Sequence, residues 1–363
     1  MKYFFASVLF SLSLFTPWKV MAWGGRGHDA ICQSAVFLVK NKTLKDFLRN
    51  KTNMLGHLCN IPDTHWRSLS PEQTKEGGPT HYVESDILGI PLKDLPLDMK
   101  VLIEKYQGSE NQYQKGSKII SLPHEMGSNW WRANQLFELS IADGKKLKDL
   151  TAPANSKQEQ DGDLPYNKHL YAMLTNMGIM GHFVGDNGQP LHTNADYDGY
   201  DFGHGGIHAY YEDLCVSFFE EDLFNKIVAK AKQIDREKRL NQFIQEKTVL
   251  EKMRALAVVS NSELKEMFKL DPIITKSILK EEKGMKIKTA AIRKPPAEGK
   301  KIFENLIVTD MARSALLLAK LWDDIYVEIG KPDFKAYKSY RYPHTPDFVM
   351  PDYYEIKKDL KKE

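Results

Sequence analysis

Residues 182–192 read His-Phe-Val-Gly-Asp-Asn-Gly-Gln-Pro-Leu-His and close a long apolar-periodic run that starts at Tyr166. Apolar residues recurring at steps of three and four through 166–186 predict a helix. On it His182 and Asp186 stand at i and i+4, so an imidazole and a carboxylate share one helix face. Pro190 lacks an N–H and disfavours helical geometry in the residue before it. It should end the helix and send His192 off on an extended path.

The same periodicity extends outward. Residues 30–40, 130–142 and 306–329 read as helices, the last most clearly, with Met311, Ala315, Leu316, Ala319, Leu321 and Trp322 in register. Residues 220–260 hold one or two more, rich in Lys and Glu. Period-two strands are scarce, with one short extended piece expected over 81–85. The stretch 145–165, polar and bounded by Pro165, reads as a surface loop. Residues 271–301 carry nine basic and four acidic side chains. They read as a solvated connector or as a patch for an anionic lipid or polyanion. The expected fold is all-α: one mostly helical domain over 23–363, with a helical and basic excursion between about 226 and 303.

Composition supports a globular chain. Of 363 residues, 42% are hydrophobic and 27% charged, and the formal net charge is only +3, so no global basic excess demands nucleic acid. Residues 1–22 read as a secretory signal: Lys2, an apolar run from Tyr3 to Thr16 too short to span a bilayer, and Ala22 at a small-residue cut site. The expected location is secreted or periplasmic, with no membrane span left after processing. In such an oxidising compartment Cys32, Cys59 and Cys215 admit one disulfide and one free thiol, or three buried reduced cysteines.

Chemistry concentrates around the opening stretch. Sixteen residues after His192 comes His208-Ala-Tyr-Tyr-Glu212, a second imidazole–carboxylate pair at i and i+4. Imidazole with carboxylate is what zinc takes in water-exposed catalytic sites. Two pairs and a linking His within 31 residues are far less frequent by chance than one. Upstream, Asp63 (in Asn60-Ile-Pro-Asp63) and His81 (in Thr80-His81-Tyr82) supply a further carboxylate and imidazole. Cleavage after Ala22 would make Trp23 the first residue of Trp23-Gly-Gly-Arg-Gly-His28. A free α-amino group of pKa about 8 and the Trp23 carbonyl can then chelate a metal, and the glycines allow the backbone to fold tightly. His124-Glu125 lacks the second His of a zinc-protease helix.

Taken in order, Trp-Gly-x-x-Gly-His, Pro-Asp, His-aromatic, His-x3-Asp-x5-His and His-x3-Glu resemble the superfamily of zinc-dependent phospholipases C and single-strand-specific zinc nucleases. The resemblance covers Trp23 to about Asp213 and returns weakly over 315–326; residues 226–303 are not covered. It implies a mostly helical fold with three Zn2+. Asp63, His81, His182 and Asp186 would hold one ion. Trp23, through amine and carbonyl, and His28 would hold a second, bridged by Asp186. His192, His208 and Glu212 would hold the third. Asp63 and Asp186 are the candidate catalytic residues, with Asp63 orienting or deprotonating the water.

Two substrate classes follow. Glu212 within His-x-Tyr-Tyr-Glu, the short 192–208 loop and the terminal Leu-Trp-Asp-Asp-Ile-Tyr lean toward phospholipase C. The five-residue spacing from Trp23 to His28 leans toward a nuclease or 3′-nucleotidase acting on single-stranded DNA and RNA. Tyr82 and Glu84 are candidate substrate contacts in either case, although no box for a choline headgroup stands at matching positions. The loop Tyr197-Asp-Gly-Tyr200-Asp-Phe202 should rim the site, with Tyr200 and Phe202 as candidate contacts, its aromatics stacking on bases or dipping into a lipid interface. A secreted protein with purely structural zinc is the third reading; the three-ligand set of His192, His208 and Glu212, which leaves an open position, argues against it.

Overall fold

The computed structural model describes residues 23–282, 285–334, 343 and 345–353. The expected signal, 1–22, lies outside them, as does His344. Among the described residues the fold is predominantly helical, as expected, with two small two-stranded antiparallel sheets. Seven longer helices carry it: α1 (Gly24–Leu38), α2 (Thr52–Asn60), α3 (Asn129–Lys146), α4 (Pro165–Asn187), α5 (Leu223–Arg236), α6 (Val249–Ser262) and α7 (Pro296–Glu328).

The centre is α4, packed against α1, α2, α3 and α7. Close packing on several sides requires small residues. A Cβ at Gly181 would lie 2.3 Å from Cys32 Sγ, and one at Gly185 would lie 3.1 Å from His28 Nδ1. The missing side chains let α1 approach the helix that carries His182 and Asp186. Cys32 of α1 and Cys59 of α2 form a disulfide, with their Cα atoms 6.5 Å apart; Cys215 is buried and free. Polar contacts fix the C-terminal end of α4. Trp130 Nε1 donates to Asn187 Oδ1 (2.8 Å), Asn187 Nδ2 donates to the Met253 carbonyl (2.7 Å), and Asn129 Nδ2 donates to the Phe183 carbonyl (2.9 Å).

Three local expectations are revised. The segment read as an excursion divides in two: α5 and α6 bury Ile227, Ala231, Ile234, Met253, Leu256 and Ala257 in the common core, so only the following stretch stands apart. That stretch opens with a short helix, Leu264–Leu270, but beyond it is not helical. It forms β1 (Ile273–Thr275) paired with β4 (Ile292–Arg293), and β2 (Ile278–Glu282) paired with β3 (Met285–Thr289). Finally, His81 closes a 3-10 turn, Gly78–His81, and extended backbone is confined to the residues just after it, where Val83 bridges Gly127.

Candidate metal centre

Eight side chains from separate elements converge beside α4. His28 comes from the second turn of α1, Asp63 from the turn after α2, His81 from its 3-10 turn, and His182 and Asp186 from α4. His192 sits in a 3-10 turn, Pro190–Thr193, in place of the expected extended path. The Gln189 side chain, which accepts from Leu191 N, caps that turn. His208 and Glu212 lie on a short helix that passes into a π-helical turn, Tyr210–Leu214, so their four-residue spacing keeps both on one side. All eight are buried. Three groups have ligand atoms within 4.8 Å of one another and could hold a metal ion: His28–Asp63–His182, His81–His182–Asp186 and His192–His208–Glu212.

Asp186 is the hub of the first two. Its carboxylate lies 2.9 Å from His81 Nδ1, 3.2 Å from His182 Nε2 and 3.4 Å from His28 Nε2. The His28 and His182 rings stack with centroids 4.0 Å apart. Asp63 Oδ1 is 3.9 Å from both His81 Nδ1 and His182 Nε2, and 2.5 Å from Arg67. Both His28 ring nitrogens, Asp63 Oδ2, Asp186 Oδ1 and Glu212 Oε1 are buried with no hydrogen-bond partner. Buried polar atoms are normally satisfied, and these orphans all belong to the groups that could hold a metal ion.

The tautomers say the same. His182 Nδ1 lies 2.8 Å from the Cys59 carbonyl, His192 Nδ1 2.7 Å from the His81 carbonyl and His208 Nδ1 2.8 Å from the Tyr197 carbonyl. A carbonyl can only accept, so each Nδ1 carries the hydrogen and each neutral ring presents an Nε2 lone pair. His192 and His208 point theirs at one another across 3.1 Å. Glu212 Oε2 completes the triangle at 3.0 Å from His208 and 3.6 Å from His192. This is the arrangement in which outer carbonyls orient imidazoles toward a metal. Gln189 Nε2 donates to Glu212 Oε2 (2.7 Å) and holds the carboxylate in place.

Electrostatics follow the same geometry. Burial opposes ionisation of Asp186, but the neighbouring His182 and His192 hold it well below the usual carboxylate range. Glu212, likewise buried, is held at about 2 by His208 and His192. Burial drives His81 down to about 4 against the pull of Asp186. His192 is held at about 9 by Asp186 and Glu212, against the opposing effect of burial.

Trp23 is buried, with a left-handed φ of 47°. Its indole Nε1 donates to the Gly185 carbonyl (2.8 Å), next to Asp186, and its own carbonyl accepts from Gly27 N (3.0 Å). Left-handed backbone is strained for a large side chain, and the indole contact holds it there.

No protein-family model matches the chain, and comparison with curated proteins finds no match.

A cavity of about 740 Å³ opens over the ligands, with His81, His192 and His208 in its wall. Tyr82 and Glu84 line it, whereas Tyr200 and Phe202 are not among its lining residues. Lys288 lies over the Tyr200 ring at 4.8 Å, and Phe202 packs on Phe268 at 5.7 Å; it is their neighbour Tyr197 that reaches the cavity. Gly199, Gly203 and Gly206, all at positive φ, turn the loop so that this exchange happens.

Tyr113, Trp66 and Phe348, which the sequence did not single out, complete an aromatic wall with Tyr82 and Tyr197. Phe348 arrives on the C-terminal strap, whose Pro346 carbonyl accepts from Trp66 Nε1 (3.0 Å). Arg67 is the one lysine or arginine among the lining residues. Burial and neighbouring Asp86 raise the Glu84 carboxyl well above its usual range, with His192 pulling the other way. A cation entering the cavity would favour its ionised form.

Proposed function

We propose that this protein is an exported, zinc-dependent phosphoric-ester hydrolase of the phospholipase C type, carrying three Zn2+. The observation that carries the reading is the His192–His208 pair, whose lone pairs meet beside Glu212 on the wall of a cavity that also reaches His81. The ligand sets implied by the family resemblance fit this chemistry. Asp63, His81, His182 and Asp186 would hold one ion, Trp23, His28 and Asp186 a second, and His192, His208 and Glu212 the third.

Bound zinc would supply a water acidified to near neutral pH and positive charge for the phosphoryl oxygens. The chain supplies the rest. Asp63, with one oxygen on Arg67 and the other free, is placed to accept and orient the water's proton. Arg67 presents a guanidinium at the cavity for a phosphate oxygen. Asp186 and Glu212 stay ionised and neutralise bound cations.

The cavity wall supports phospholipid over polynucleotide. A polyanion is held by several lysines and arginines, and this wall has Arg67 alone. Five aromatic rings with Glu84 suit a headgroup with a positive nitrogen. The nuclease alternative draws on the same aromatics as base-stacking surfaces. The Cys32–Cys59 disulfide is consistent with export to an oxidising compartment. The deciding experiment measures zinc per molecule and assays one preparation on phospholipid vesicles, single-stranded DNA and RNA, and nucleoside 3′-phosphates. Release of phosphorylated headgroup supports the reading. Release of mononucleotides replaces it with the nuclease, and fewer than two metals per active molecule removes both.

A further inference from the structure

The β1–β4 segment supplies none of the eight side chains of the centre, yet it is bonded to the loop that links two of them. Ser277 N donates to the Gly203 carbonyl (2.9 Å) and Ala291 N to the Gly205 carbonyl (2.9 Å). Beneath them Asp271 pairs with Arg293 (2.7 Å) and with His204 (2.9 Å), and Arg293 Nη1 donates to the Gly205 carbonyl (3.1 Å). Residues 196–206 are thus joined to the hairpins, and their Tyr197 lines the cavity.

The pairing register divides the β2–β3 hairpin into two faces. Leu279, itself 40% exposed, opposite Lys288 lies on one, where Lys288 rests on Tyr200. Ile278 opposite Thr289, Lys280 opposite Ile287, and Glu282 opposite Met285 lie on the other. There Ile278 is 52% and Met285 63% exposed. On the neighbouring pair Arg293 is turned inward to Asp271, while Ile292 is 59% and Ile274 66% exposed. Residues 271–294 carry seven basic and three acidic side chains, and one acid is used up by Arg293.

We propose that this outer face docks the protein on a bilayer containing anionic phospholipid. Solvent-facing aliphatic side chains on a segment of net positive charge are what a membrane interface accepts, the chains entering the acyl boundary while the basic excess of the segment meets lipid phosphates; Lys280, the lysine on this face, is shared with Glu282 (2.6 Å). The aliphatic character of the face favours lipid over nucleic acid, since Ile and Met offer no ring on which a base can stack. The docking extends the phospholipid reading of the cavity but is read from the hairpins, and its test needs no turnover.

The test is flotation of the full mature chain with vesicles of phosphatidylcholine alone and with phosphatidylglycerol added, at low and high salt. Binding should favour the anionic vesicles and fall with salt. The double substitution Ile278→Asp with Met285→Asp should lower it about tenfold or more. Lys280→Glu should lower it less, and Val327→Asp, exposed on α7, should leave it unchanged. Equal melting temperatures and zinc contents establish that the variants are folded. The proposal is overturned if the native chain does not float, if the double variant floats equally well, or if the same substitutions abolish single-stranded oligonucleotide binding and leave flotation intact. Hydrolysis of a soluble short-chain phosphodiester is followed in the same samples. If it is absent throughout while flotation tracks the hairpin, the hydrolase reading fails and the docking surface stands.

Discussion

His192 and His208 face each other Nε2 to Nε2 at 3.1 Å while each commits its Nδ1–H to a backbone carbonyl. Only a proton or a metal ion can sit favourably between two such lone pairs, so the two must compete. Metal-free, the Asp186 and Glu212 carboxylates outweigh burial and keep the His192 imidazolium to about 9. Because this folded value lies above the ordinary 6.5, its contribution to metal-free stability is fully present below about pH 6.5 and is lost as pH rises through about 9. Metal affinity runs the other way and should rise about tenfold per pH unit up to about 9, one proton leaving per ion. Chelator should therefore lower the melting temperature more at pH 8 than at about pH 6. A chelator-induced drop that is the same at both would contradict the competition.

Asp186 touches three imidazoles, whereas Glu212 touches two. Asp186→Asn should therefore disturb two metal positions and Glu212→Gln one. Activity should fall on the order of 10²-fold or more for Glu212→Gln, and further for Asp186→Asn. Elemental analysis checks the same point without turnover, and equal metal losses in the two variants would break the bridging role of Asp186.

The disulfide joins α1 one turn beyond His28 to α2 four residues before Asp63. Closing a loop of 27 residues stabilises the folded chain by roughly 3–4 kcal/mol in the chain-entropy account. Cys32→Ser with Cys59→Ser should cost about that much in denaturant unfolding and should also weaken metal retention. A double variant that matches the native chain in both would remove the link between the bridge and the centre.

How much of this was legible in the sequence depends on how distinctive each residue type is. His182 and Asp186 could be placed on one face because helical periodicity runs unbroken through 166–186, and α4 follows it almost to the residue. The ligands stood out because two imidazole–carboxylate pairs and a linking His fall within 31 residues. Arg67 and Gln189 did not, since an arginine or glutamine in a turn is ordinary until its partner, Asp63 or Glu212, is seen beside it. The hairpins were missed for a physical reason as well. Their aliphatic residues face solvent, so no alternation of buried and exposed positions marks the strands. Tyr200 and Phe202 were favoured over Tyr197 because loop direction depends on three positive-φ glycines, and that turn cannot be read from composition.

Glu84 and Arg67 should separate headgroup from phosphate. Glu84→Gln keeps the shape of the cavity wall and removes the charge that a cationic headgroup would induce there. It should raise KM about tenfold for a lipid with a positive nitrogen and leave a neutral headgroup unaffected. Arg67→Met should instead lower kcat/KM about 10²-fold for every phosphodiester. Identical profiles for the two variants would mean that the cavity does not divide its substrate in this way.

The left-handed Trp23 bears on processing. Its indole is locked onto Gly185, so the residue's backbone is held beside the turn that carries Asp186. If its amine is a metal ligand, the amine must be free, and any residue left ahead of Trp23 converts it to an amide that binds metal poorly. A preparation retaining even one preceding residue should carry one fewer metal per molecule and lose activity on the order of 10²-fold. Trimming to Trp23 should restore both. Trp23→Phe keeps the amine but loses the Nε1–H to Gly185, and should weaken metal retention without abolishing it. Full metal content with the extension in place would show that the buried start of α1 is shaped by packing alone.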